Sequence, residues 1–187
     1  MASNKGTQYY TQGCNAVAYV KSKLRFGPAN NPLKLQPDLV SQLKAMGALL
    51  RTRDGEDKSL ADGFVNPADS LRVAQAFADN AERYGGGNCG EHAASAYLWL
   101  RRNGVFPIDW IKFTNKDHSF VVIGRSDAGK YTPRDIPKQP WFPDAVICDA
   151  YFGRCNYWSA LLAEYDPTVM ASLLHQEAQG LQQWINK

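Results

Sequence analysis

The chain lacks the features that mark several common classes of protein. No stretch approaches the roughly 20 consecutive apolar residues of a membrane helix, so a helical span is excluded. The opening MASNKGTQYYTQG contains no apolar core segment, and no Sec-type signal peptide is expected. Four cysteines in 187 residues are too few for a disulfide scaffold, and none stands in a CxxC pair. A Cys148–Cys155 bridge fits the spacing, but free thiols in a reducing, cytosol-like compartment are the expectation. No basic stripe interleaved with aromatics and no nucleic-acid motif occurs, which argues against a nucleic-acid partner. Internal repeats and linker-like stretches are also missing, so a single domain over 1–187 is expected.

What is present fits a globular enzyme-sized domain. Hydrophobic residues make up 44% of the chain and aromatics 12%, enough for a real core. The net charge of +3 is unevenly placed: residues 1–60 hold nine Lys and Arg against four Asp and Glu. A solvated basic face accounts for this, and a docking surface for an acidic partner is the sharper alternative.

The pattern of apolar residues divides the chain. Residues 1–35 are turn-rich, with Gly27-Pro28 and Asn30-Asn31-Pro32, and one helix is expected over Cys14–Lys23. From Pro37 to Arg51, Leu39, Leu43, Met46 and Leu50 recur at helical intervals and predict a buried stripe. Asn66-Pro67 caps a helix running to Tyr84, with Leu71, Ala74, Phe77, Ala78 and Ala81 inward. Cys89–Asn103 is apolar almost all round, the mark of a central buried helix closed by Gly104. Strands are expected at Val105–Phe113, His118–Arg125 and Ala145–Asp149, the first two as an antiparallel hairpin. The long Pro-rich loop Ser126–Asp144 carries Trp141 and Phe142. Asp166-Pro167 caps a last helix that directs Met170, Leu173, Leu174, Leu181, Trp184 and Ile185 inward.

Chemistry concentrates in Gly85-Gly86-Gly87-Asn88-Cys89-Gly90-Glu91-His92. A thiol at the start of a helix meets unpaired N–H groups and the positive end of the helix dipole, which favour its thiolate and any oxyanion formed beside it. His118 opens an apolar strand 29 residues on, and Asp149 ends another 31 residues after that. A nucleophile, a base and an orienting carboxylate are thus available in that order. A carboxylate ending a buried strand is costly unless paired, and an imidazole is its natural partner. Asp144 and Glu91 are weaker choices for the third member, and Asp117 points to the opposite face from His118. His92 competes as base but sits one turn along the helix of Cys89 without an obvious acid, and His175 falls on the last helix. Cys148 alternates within an apolar strand and reads as inert core. Asn88, Gly90 and Trp141 are candidates for shaping the oxyanion site or touching substrate. Two rival readings stand beside this one. Cys89, His92, His118 and Cys148 supply enough ligands for zinc on paper, and the basic N-terminal third suits a non-catalytic protein-binding module.

The NCGE and DHSFVVIG segments and the order of Cys89, His118 and Asp149 resemble the papain-like cysteine enzymes in the broad sense. The closest likeness is to transglutaminase-like members and to bacterial toxin and effector domains, over Tyr84 to Phe152. The resemblance implies Cys89 as nucleophile, His118 as base, Asp149 as its orienting group, and neither metal nor cofactor. Papain's glutamine before the cysteine has no counterpart in Asp79-Asn80-Ala81-Glu82-Arg83-Tyr84. The implied fold is α+β, with a helical portion carrying Cys89 packed on a small antiparallel sheet carrying His118 and Asp149. The implied activity is acyl transfer at an amide of a protein substrate: glutamine deamidation first, proteolysis second, transglutamination third. An effector acting in the cytoplasm of a target cell, exported by a route other than Sec, is the matching location; otherwise the chain is expected to be cytoplasmic.

Overall fold

The computed structural model describes residues 3–28, 39–54, 70–113, 118–124, 144–157, 160 and 178–180. Among these, four helices and five strands form an α+β arrangement. The helices are α1 (Asn4–Lys23), α2 (Leu39–Asp54), α3 (Ser70–Tyr84) and α4 (Cys89–Arg102). The strands are β1 (Ile108–Phe113), β2 (His118–Ile123), β3 (Val146–Asp149), β4 (Arg154–Tyr157) and β5 (Ala178–Gly180). They make one antiparallel sheet in the order β4-β3-β2-β1-β5.

α4 is the centre of the fold, as its lack of a polar face dictates. It is buried from Cys89 nearly to its end and packs on α1, α3, β1 and β2. Its last turn closes as the Gly104 position suggests. Gly104 takes φ 68°, its N–H bonds the Arg101 carbonyl, and Val105 N–H reaches the Leu100 carbonyl, satisfying groups the helix leaves open. β1 begins three residues after Val105, beyond the bend at Phe106-Pro107, so the strand is shorter than the apolar pattern indicates.

The sheet's helix-facing side follows from register. Trp110 pairs with Val121, and Val121 with Cys148; these join Ile108, Ile123 and Val146 in the core beneath α4 and α1. α1 is longer than the expected Cys14–Lys23 because it begins at Asn4. Ser3 accepts a hydrogen bond from Gly6 N–H, and the Asp144 carboxylate ties Ser3 to the start of β3. Its buried stripe is Gly6, Tyr9, Gly13, Ala16 and Val20. A Cβ on Gly13 would lie 2.7 Å from Cys155 Sγ, so a glycine there lets the helix sit directly on β3 and β4.

Three expectations are corrected. α2 forms, but Leu43, Met46 and Leu50 are 60%, 54% and 59% exposed; the helix instead buries Ala48 and Thr52. Thr52 Oγ1 bonds the Gly86 carbonyl at 2.9 Å, and Ala48 lies against Gly86, so contact with the glycine loop decides which face turns inward. In α3, Ala74, Ala78 and Ala81 are buried as expected, whereas Leu71 near its start is 40% exposed. Ala178–Gly180, expected inside the last helix, is a strand because its backbone pairs with the open edge of β1. The remainder of that helix, its cap Asp166-Pro167 and the loop carrying Trp141 lie outside the described residues.

The glycine loop should tolerate little added volume. A Cβ on Gly86 would stand 2.7 Å from the Ala48 methyl group. Gly86→Ala is therefore expected to cost about 1–3 kcal/mol in urea unfolding. Adding Ala48→Gly should return part of that loss, giving a double mutant more stable than the two single effects sum to. A Gly86→Ala chain as stable as wild type would remove this contact from the account.

Candidate active site

Each member of the site is held by a different device. Cys89 is the first residue of α4, so its position depends on the loop before it. Gly85 adopts φ 76°, a conformation other residues resist, and its carbonyl accepts from Phe26 N–H. Gly86 packs on α2, and Gly87 leaves room for Glu91, whose Cβ would be 2.7 Å from a side chain there. Pro28 and Gly87 form an isolated parallel bridge. Of the three glycines, only Gly85 therefore uses the left-handed freedom that a glycine run suggests; the other two are needed for close approach. The buried Glu91 carboxylate accepts the Asn88 N–H at 3.0 Å and fixes the helix start.

Asp149 is placed by strand parity. Val121 pairs with Cys148, so the next residue, Asp149, shares a face with Phe120 and, two positions back, with His118. His118 Nε2 lies 2.8 Å from Asp149 Oδ2. The other carboxylate oxygen accepts Phe152 N–H at 3.2 Å, across the turn that joins β3 to β4. Asp149 is 2% exposed and the His118 side chain 19%, so this is a nearly dry pair open on one side.

The Cys89 side chain is near enough to His118 to raise its pKa. With Nε2 engaged by Asp149, Nδ1 is the ring nitrogen left for the sulfur. Aromatic rings enclose the imidazole: Phe120 stacks at 5.7 Å between centroids, Phe152 is at 5.1 Å and Tyr151 at 5.8 Å. Tyr151 in turn meets the ring of His92 edge-on at 5.7 Å, joining the first turn of α4 to the β3–β4 turn.

These surroundings set the charge of the His118 ring. Burial alone lowers the imidazole pKa. Hydrogen bonding to Asp149 and to the neighbouring Cys89, with the charges those groups carry when ionised, outweighs it and pushes His118 up to about 9. Cys148 differs sharply. Its sulfur donates to the Gly13 carbonyl within the core, and burial drives its pKa far above the thiol range, so it stays a neutral, inert thiol.

The structure thus gathers Cys89, His118 and Asp149 and separates them from the weaker candidates. Asp144 binds Ser3 at the start of α1, and Glu91 serves as a cap. His92 directs Nδ1 to the Asn88 carbonyl at 2.7 Å. Asn88 and Gly90 flank Cys89; Asn88 is the N-cap residue of α4, and Gly90 lies near Phe77 of α3. Asp117, Trp141 and His175 lie outside the described residues. The zinc set is not gathered: Cys148 faces α1, and no cluster of three His, Cys, Asp or Glu among the described residues could hold a metal ion. None of the four cysteines forms a disulfide. Tyr151 and Phe152 were not anticipated, although an aromatic pair between Asp149 and Gly153, which takes φ 67°, was visible as a tight, bulky turn. Compared with protein-family models, curated proteins and solved structures, the chain matches none.

A raised histidine pKa links stability to pH. Unfolded histidine titrates near 6.5 and folded His118 near 9, so the folded chain holds a proton that the unfolded chain releases. This stabilisation is complete below about 6.5 and is lost as pH rises through about 9, with a ceiling on the order of 3 kcal/mol. Urea midpoints measured from pH 6 to 10 should fall over that window. Asp149→Asn, which keeps the shape and drops the charge, should be less stable at pH 6 and show a flatter profile. An unchanged profile in Asp149→Asn would disconnect the pair from the effect.

Proposed function

We propose that this chain is a Cys–His–Asp thiol enzyme of papain-like type that transfers the acyl group of an amide, and that it acts as a protein glutamine deamidase. The observation that carries the reading is the buried Asp149–His118 pair with Cys89 close enough to perturb the imidazole, the sulfur standing at a helix start. A His118 charged over most of the neutral range suits a thiolate partner and supplies an acid for the leaving group.

The steps follow from those positions. The Cys89 thiolate attacks the amide carbon and forms a C–S bond, while the carbonyl oxygen takes the negative charge. The N–H of Cys89, in the helix turn whose donors have no acceptor within the helix, is the first donor available to that oxygen. His118 passes its proton to the amide nitrogen, the C–N bond breaks and ammonia leaves a thioester. Water then attacks the thioester, His118 accepts its proton, and the sulfur departs as thiolate. Asp149 holds the imidazole in place and balances its charge throughout.

The choice of glutamine deamidation rests on the likeness of NCGE and DHSFVVIG to bacterial effector and toxin domains, which also suits action in a target-cell cytoplasm. Lys21, Lys23 and Arg25 lie exposed at and just after the end of α1, a basic surface fitted to an acidic protein substrate. No helix among the described residues is long and apolar enough to cross a membrane.

Cys89→Ala should fold as wild type and lose activity by several orders of magnitude. Alkylation of Cys89 by iodoacetamide at pH 7 should slow in His118→Ala. Intact-mass spectrometry of candidate proteins decides the outcome of the reaction: a gain of about one dalton on a glutamine marks deamidation. An attached amine marks transglutamination, and a cut chain marks proteolysis. Undiminished activity in Cys89→Ala would sink the assignment; clipping without the one-dalton product would replace deamidase with protease.

A further inference from the structure

His92 is buried beside the nucleophile and has no place in the steps above. Its ring packs edge-on against Tyr151, and its Nδ1 lies 2.7 Å from the Asn88 carbonyl oxygen. The same oxygen accepts the His92 backbone N–H at 3.0 Å. A carbonyl oxygen only accepts, so Nδ1 carries the proton and the oxygen receives two donors from one residue.

The peptide group concerned matters more than the contact itself. The Asn88 carbonyl and the Cys89 N–H are the two ends of one planar amide. Donors on the carbonyl end draw charge toward that oxygen and strengthen the N–H at the other end as a donor. They also fix the plane of the amide, and so the direction of the N–H beside the sulfur. We infer that His92 is a positioning residue that aims and polarises the Cys89 N–H toward the oxygen of the substrate carbonyl. Resting on the thiol-enzyme reading, this assigns the two histidines around Tyr151 separate tasks. His118 moves the proton, and His92 prepares the oxyanion site. It also supplies part of what the missing glutamine before the cysteine leaves open.

The test compares two replacements of similar size. His92→Asn keeps an N–H donor where Nδ1 stands; His92→Leu has the same shape without it, and both lose the ring against Tyr151. Acylation of Cys89 by p-nitrophenyl acetate passes through an oxyanion, whereas alkylation by iodoacetamide does not. Loss of a whole oxyanion donor costs about 10²–10³ in rate, and loss of its polarisation a fraction of that. His92→Leu should therefore acylate about three- to tenfold more slowly than His92→Asn, with alkylation rates of the two within about twofold. Equal acylation in the two variants, or a parallel fall in alkylation, overturns the inference; His92→Met repeats the comparison should Leu disturb folding. A wild-type acylation no faster than that of Cys89→Ala instead refutes the thiol-enzyme reading itself.

Discussion

The constraint on which the site depends is the burial of the Asp149 carboxylate. An ionised carboxylate removed from water is costly, and the fold must return most of that cost locally. It does so with two hydrogen bonds, one from the His118 ring and one from Phe152 N–H. Each draws on a different element, because His118 belongs to β2 and Phe152 to the turn after β3. The register between β2 and β3 and the geometry of the next turn are therefore tied to one side chain. A one-residue slip of β3 would send Asp149 into the apolar layer beneath α4 and bring Cys148 out.

The aromatic rings extend this constraint. Phe120, Tyr151 and Phe152 surround His118 and keep water from three sides of the imidazole. A drier pair has a stronger mutual attraction and a heavier penalty if broken. The rings thus raise what the pair contributes to holding the strands together; their burial of the imidazole opposes its charge, and Asp149 and Cys89 outweigh that. The helix start is reached through Tyr151, which touches His92 on one side and His118 on the other. Distance between thiol and base is set by packed rings and by a glycine loop, not by a flexible tether.

How much of this was legible in the sequence follows from the kind of signal each part leaves. The central helix was plain because Ala93 to Leu100 has no polar face, and its end was plain because Gly104 must take positive φ. Strand parity allowed Asp149 to be preferred over Asp144. α1 is longer than its pattern indicates because three of the five residues in its buried stripe, Gly6, Gly13 and Ala16, are small and carry almost no hydropathy signal. α2 misled for the opposite reason. Leu43, Met46 and Leu50 form a strong periodic pattern, but the helix docks through Ala48 and Thr52, and periodicity does not say which face meets a partner. β5 could not be read at all from local pattern, since three residues become a strand only when the edge of β1 offers a backbone to pair with.

The two histidines near the sulfur are held in different ways, as the proposed division into base and support requires. His92 shares a helix with Cys89, and its ring sits where a single turn of helix brings it. Its proton goes to a neutral carbonyl, which gives an imidazolium no counter-charge. His118 arrives from a separate strand with a carboxylate behind it, and that carboxylate is buried deeply enough to hold a charge on the ring. A base that must accept a proton and then give it up needs a partner that stabilises the charged form without taking the proton itself, and the Asp149 carboxylate can serve the His118 ring in that way. The histidine nearer in sequence is bound to the backbone, and the one reached through the sheet is bound to a buried carboxylate.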